Sequence, residues 1–183
     1  MTETESQLIE GLRRQSARAQ RLTLQRYGSA VFAQVARLVP GQENAEEVYQ
    51  DVFVKVFRNI RLYDEQKSSL RTWLSRIAYH EAVDWLRHKR QPLVYFEDCE
   101  DEAPSDQEVN ETLGHPSAET VQLIRAALKH LPPEERAIVT MFYYEEMSLR
   151  EIAFATDSIP TTVASKLSRT RKKLCRIIKM LQS

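Results

Sequence analysis

The stretch Met147-Ser148-Leu149-Arg150-Glu151-Ile152-Ala153-Phe154-Ala155-Thr156-Asp157-Ser158-Ile159-Pro160 carries the densest folding signal in this 183-residue chain. Ser148 and Glu151 have the spacing of a capping box. The serine hydroxyl can accept from the Glu151 N–H while the glutamate side chain returns to the Ser148 N–H. Met147 and Ile152 stand where a hydrophobic staple would hold the incoming chain. The short helix then breaks near Thr156-Asp157-Ser158, and Pro160 suits the first turn of a second helix. That second helix carries Val163, Leu167, Leu174 and Ile178 on one face. Thr161, Thr162, Ser165, Lys166 and Arg169 lie near its start, away from that face. Arg171, Lys172, Lys173, Arg176 and Lys179 follow. Short polar and basic side chains at a helix start can reach base edges, and later cations meet phosphate. The pattern predicts a DNA-reading helix-turn-helix. The alternative is an amphipathic helix with a solvated basic face, its last cations favoured by the helix dipole.

Working outward, Val121, Ile124, Ala127, Leu128 and Leu131 predict a helix that stops before Pro132-Pro133. Pro133 suits the first turn of the next helix, with Glu134 and Glu135 favourable to its dipole. Ala137, Ile138, Met141 and Phe142 then face inward. The other end of the chain is also helical in pattern. Leu8, Leu12, Ala19 and Leu22 precede Val31, Phe32, Val35, Leu38 and Val39, and Pro40-Gly41 ends the run. Asn44 reads as the N-cap of a helix that buries Val48, Val52, Phe53, Val56, Phe57 and Ile60. After a polar loop, Leu70, Trp73, Leu74, Ile77, Ala78 and Trp85 form the core face of another helix. No period-two strand pattern is present.

Between these blocks the composition changes. Residues 91–119 carry nine acidic residues and no lysine or arginine, together with Pro92, Pro104, Gly114 and Pro116. Like charges with few large apolar groups cannot bury enough surface to offset ordering entropy. Val94, Tyr95 and Phe96 are the exception, as candidates for docking elsewhere. The expected fold is therefore all-α, with two small helical domains, 1–91 and 118–183, joined by an acidic flexible linker over 92–117.

The formal net charge is zero, but it hides a division. Residues 1–90 hold 15 Lys+Arg against 11 Asp+Glu, and residues 120–183 hold 11 against six. Two basic blocks around an acidic segment point to a polyanion partner. No apolar run approaches the roughly 18 residues of a membrane span. Met1 to Glu10 is polar and unlike a secretory signal. Cys99 and Cys175 are too few and too far apart for a disulfide framework or a zinc pair. A reduced, cytoplasmic, soluble protein is expected. His80-Glu81 lacks the second histidine of a zinc-protease helix, and no nucleophile elbow occurs. His88, His115 and His130 have no ligand spacing. No enzyme activity, metal or cofactor is expected.

Taken in order, several segments resemble the extracytoplasmic-function group of bacterial RNA polymerase sigma factors, and the resemblance covers nearly the whole chain. Asn44-Ala45-Glu46-Glu47-Val48-Tyr49-Gln50-Asp51-Val52-Phe53-Val54-Lys55-Val56-Phe57 resembles the polymerase-docking helix of sigma region 2. Leu70-Arg71-Thr72-Trp73-Leu74-Ser75-Arg76-Ile77-Ala78 resembles the promoter-melting segment, and Asp84-Trp85-Leu86-Arg87-His88-Lys89-Arg90 its basic close. Leu131-Pro132-Pro133-Glu134-Glu135-Arg136 and Ser148-Leu149-Arg150-Glu151-Ile152-Ala153 resemble the start of sigma region 4 and its helix-turn-helix.

The resemblance implies a sigma factor that binds core RNA polymerase at the clamp helices and flap and directs promoter-specific initiation. A stand-alone helix-turn-helix regulator is the alternative, although nothing in the first block suggests the dimer symmetry that paired half-sites need. Polymerase contact would fall to Gln50, Asp51, Val54, Lys55 and Arg58. The −35 element would be read by Thr161, Thr162, Ser165, Lys166 and Arg169, with Lys172, Lys173 and Arg176 on phosphates. The −10 strand would meet Tyr63, Asp64 and Ser68 in the loop and Arg76, Tyr79, His80, Val83 and Arg87 on the next helix. Trp73 and Trp85 lie on the apolar stripe and read as core, with stacking on unpaired bases as the alternative. An anti-sigma partner is implied as well. Three positions depart from the family pattern: Asp157 stands where a turn glycine is common, Ala164 where a basic residue is usual, and His80 where asparagine is frequent.

Overall fold

The computed structural model describes residues 4–89, 104–113 and 118–182, and among these all regular structure is helical. Val94, Tyr95 and Phe96 lie outside the described residues.

The N-terminal lobe contains α1 (Glu5–Arg13), α2 (Ala17–Leu38), α3 (Gln42–Asn59) and α4 (Leu70–Lys89). Thr4 and Gln7 close a capping box that starts α1. Gln15, at φ 57°, turns the chain between α1 and α2. The cap of α3 is not Asn44. The helix begins one turn earlier, after Gly41, whose φ of 86° only glycine adopts without strain. Asn44 instead donates its amide to the Pro40 carbonyl at 2.8 Å. Gly28 of α2 leaves room for the Tyr49 hydroxyl of α3, from which a β-carbon there would lie 2.8 Å. The core of the lobe unites Leu8, Leu12, Val35, Leu38, Val52, Val56, Ile60, Leu70 and Leu74, all essentially inaccessible. A 3-10 turn at Ile60–Leu62 leads into the loop before α4.

The remaining helices are α5 (Asp106–Leu113), α6 (Ala118–Leu128), α7 (Pro133–Tyr143), α8 (Leu149–Ala155) and α9 (Pro160–Gln182). The Ser148–Glu151 capping box forms as expected, Met147 and Ile152 are buried beside it, and Pro133 and Pro160 begin their helices. Leu131, Met141, Ile152, Val163, Leu174, Ile177 and Ile178 make the core of this second lobe.

Helix α5 is a departure from the expected flexible linker. Ser105 and Glu108 form a reciprocal cap, and Val109 and Leu113 bury their side chains while α5 packs on α9. Acid density hid a capping box and an i, i+4 apolar pair that were both present in the sequence.

The two lobes are not separate bodies on a string. α2 packs on α7, and α4 packs on α8 and α7. Arg136 of α7 is buried and donates to the Leu38 carbonyl of α2 at 3.2 Å. Its guanidinium also donates to the carbonyls of Lys129 and Leu131, both at 3.1 Å.

Candidate nucleic-acid and polymerase interfaces

Helix α3 is buried on one side through Val48, Val52, Phe53 and Val56. Gln50, Asp51, Val54, Lys55 and Arg58 are all exposed on it. Val54 is 44% exposed, which is unusual for a valine on a packed helix. Lys55 is ion-paired with Glu81 of α4, which leaves Gln50, Asp51 and Arg58 as an open polar row with Val54 exposed among them.

At the start of α9, Thr161, Ser165, Lys166 and Arg169 are exposed and Thr162 is half-buried. The Ser165 hydroxyl donates back to the Thr161 carbonyl at 3.0 Å. Val163, Leu167 and Thr170 anchor the opposite face, so the polar face is held outward by the core of the lobe.

Further along α9 the expected phosphate contacts are otherwise engaged. The Lys173 side chain is only 13% exposed and lies 3.6 Å from the Glu135 carboxylate, which corrects its reading as a free phosphate ligand. Lys172 pairs with Asp106 of α5 at 3.2 Å, and Lys179 with Glu108 at 2.8 Å. Arg171 donates to the Asn110 side chain at 2.7 Å. The Lys179 ammonium and the Ser105 N–H and hydroxyl pull the Glu108 carboxyl down to about 2. The acidic segment thus uses its own helix to cover part of the basic face. Arg176 is half-buried.

The loop and α4 depart further from expectation. Tyr63 was expected to offer its ring to a base but is 4% exposed and packs 5.3 Å from the Trp73 ring. Its hydroxyl donates to the Ser68 carbonyl at 2.9 Å, and burial pushes the phenol up to about 12. Val83 is also buried, because it falls on the inner side of α4 with Ala82 and Leu86. Both are structural residues. Tyr79 is 8% exposed and joins the buried side of α4, so it too is packed inward and not offered to a strand. Asp64 and Ser68 are half-buried, and Asp64 caps the loop by accepting from the Gln66 N–H at 3.0 Å.

Arg76, His80 and Arg87 all contact the second lobe, the first two partly covered there and Arg87 still largely exposed. Arg76 donates to the Phe154 carbonyl at 2.7 Å and pairs with Asp157 at 2.6 Å. His80 Nε2 lies 3.1 Å from the other Asp157 oxygen. Arg87 pairs with Glu134 at 3.2 Å. Around them, Thr72 donates to Glu151 at 3.0 Å, and Arg71 donates to the Glu145 carbonyl. Sequence reading missed Arg71, Thr72, Ser75, Glu145 and Asp157 as a contact set, because their pairing spans about 70–80 positions and has no local signature.

Two family models match the chain: Sigma-70 region 2 over residues 23–91 and Sigma-70, region 4 over residues 121–174. The chain is 30% identical over 152 residues to the ECF RNA polymerase sigma factor SigE of Mycolicibacterium smegmatis, covering 82% of this chain and 58% of that relative. It is 28% identical over 187 residues to the RNA polymerase sigma-H factor of Pseudomonas aeruginosa, covering 98% and 96%. The chain belongs to the extracytoplasmic-function sigma factors. In fold it matches the sigma factor RpoE of Bartonella quintana, solved in complex with the anti-sigma factor NepR. That match has a TM-score of 0.64 at 20% identity and covers 87% of this chain and 96% of the other.

In this sigma factor the carboxyl at the centre of the lobe contact is Glu145. It accepts from the Ser75 hydroxyl at 3.2 Å, and burial raises it above the usual carboxylate range despite nearby Arg71 and Arg37. A carboxyl raised by burial favours the packed state while protonated, and that contribution fades as pH rises through its packed-state pKa. Glu145→Gln should remove the cost of burying the charge and tighten lobe packing at neutral pH. The check is small-angle scattering across pH. Wild type should compact on acidification from neutral pH, before general acid unfolding, whereas the variant should change less. An equal response in both would show that Glu145 is not the titrating group.

Proposed function

We propose that this chain recruits core RNA polymerase to promoters and supplies the contacts that recognise and open them. One observation carries the reading: a single chain presents an open polar row on the packed helix α3 and a helix-turn-helix whose α9 start is exposed. In this reading Gln50, Asp51, Val54 and Arg58 meet the polymerase clamp helices. Thr161, Thr162, Ser165, Lys166 and Arg169 read the −35 element. Arg76, His80 and Arg87 follow the −10 strand once it is melted, with Asp64 and Ser68 at the loop.

No helix of the described residues is long and apolar enough to cross a membrane. Action on cytoplasmic DNA, without catalysis by the chain itself, suits such a subunit. The related RpoE was captured with an anti-sigma factor, and we infer a partner of that kind here.

The docking helix provides the test. Gln50→Ala with Asp51→Ala should weaken capture of purified core polymerase about tenfold, since polar contacts at a binding surface each contribute on the order of 1 kcal/mol. Both side chains are exposed, so far-UV helicity should stay as in wild type. Unchanged capture would remove the clamp assignment and favour a stand-alone DNA-binding regulator.

A further inference from the structure

Asp157 occupies the turn between α8 and α9 at φ 52°, a left-handed conformation that glycine enters without a side-chain clash. The turn does not need a carboxylate. Ser158 N–H already closes it on the Ala153 carbonyl at 2.9 Å. What the carboxylate does is reach the other lobe, with one oxygen 2.6 Å from Arg76 and the other 3.1 Å from His80. Arg76 is fixed a second time by the Phe154 carbonyl, and its guanidinium lies 5.1 Å from the centre of the Phe154 ring.

We propose that Asp157 is a latch that holds the helix-turn-helix lobe against α4 and masks the Arg76–His80 surface from single-stranded DNA until the lobes part. The masking part rests on the assignment of that surface to the −10 strand. The closed arrangement leaves Gln50, Asp51, Val54 and Arg58 exposed, so the chain can dock on polymerase while still latched. Neighbouring contacts support closure: Thr72 to Glu151, Ser75 to Glu145 and Arg87 to Glu134.

Three variants of the full chain separate the possibilities. Asp157→Gly removes the carboxylate and relaxes the turn, so helicity should be retained while the latch is lost. Asp157→Lys places a cation against Arg76. Asp157→Lys with Arg76→Glu restores an ion pair of reversed polarity. Small-angle scattering should show expansion in Asp157→Gly, more in Asp157→Lys, and recovery of the wild-type profile in the double variant.

The pair is partly solvated, so the shift in the closed-to-open ratio for Asp157→Gly should be about two- to fivefold. The affinity for short random-sequence single-stranded DNA, followed by fluorescence anisotropy, should rise in proportion to the open fraction that scattering reports, by at most that factor. If all three variants scatter like wild type, there is no latch. If Asp157→Gly expands but gains no affinity, the latch stands and masking is overturned, together with the −10 assignment of this surface.

Discussion

Arg136→Ala should destabilise the folded chain by about 3 kcal/mol, the largest effect expected of any single charged residue here. Arg136 is 6% exposed, and its guanidinium donates to three carbonyls, those of Leu38, Lys129 and Leu131. Leu38 ends α2, and Lys129 and Leu131 follow the end of α6. One cation therefore serves two helix C-termini, where the last carbonyls lack partners within their own helix and the dipole favours positive charge. Alanine leaves these acceptors without donors and opens a cavity between α2, α6 and α7. Lysine keeps the charge but not the planar fork, so Arg136→Lys should recover less than half of the loss. Urea unfolding followed by circular dichroism measures both. A loss within about 0.5 kcal/mol of zero for alanine would mean that water replaces the fork, as at an ordinary surface site.

Arg169→Ala should lower promoter binding by the holoenzyme by roughly 1–3 kcal/mol and relax the preference at one base of the −35 element. Arg169 is exposed on the polar face of α9, and no core contact depends on it. The melting temperature should therefore match wild type. Lys173→Ala makes the informative contrast. Lys173 is nearly covered and paired with Glu135, so its loss should cost stability and leave the salt dependence of DNA binding unchanged. Run-off transcription with core polymerase on a promoter library reports both variants. If Arg169→Ala kept the wild-type base profile, α9 would not be reading the sequence at that position.

The helices were legible because their signals are local. A capping box at Ser148–Glu151, prolines at 133 and 160, and apolar spacing through α3 and α4 each act within one or two turns. Errors arose where one residue type serves two roles. Asn44 is a good cap by type, but the positive φ of Gly41 starts α3 a turn earlier. Tyr63 and Val83 share a loop and a helix with polar neighbours, and only packing against Trp73 and the α4 core turned them inward. The exposed polar start of α9 was legible, since Thr161, Ser165, Lys166 and Arg169 alternate locally with the buried Val163, Leu167 and Thr170. The far end of α9 was not, because α5 and Glu135 take Lys172, Lys173 and Lys179 as partners. The contact between lobes was invisible for a plain reason: complementary charges are scattered over both halves, and sequence spacing does not say which of them meet.

The docking of α5 on α9 also sets a leash. With α5 seated, the chain between the last residue of α4 and the first of α5 runs from Lys89 to Asp106. At roughly 3.3–3.6 Å per residue, those two points can separate by no more than about 60 Å. Were α5 to leave α9 and unwind, the span would run from Lys89 to Ala118 and the limit would rise to about 100 Å. The seating of α5, through Val109, Leu113 and the ion pairs of Asp106 and Glu108 with Lys172 and Lys179, therefore limits how far the two lobes could separate. A helix of eight residues acts as a ruler with two settings.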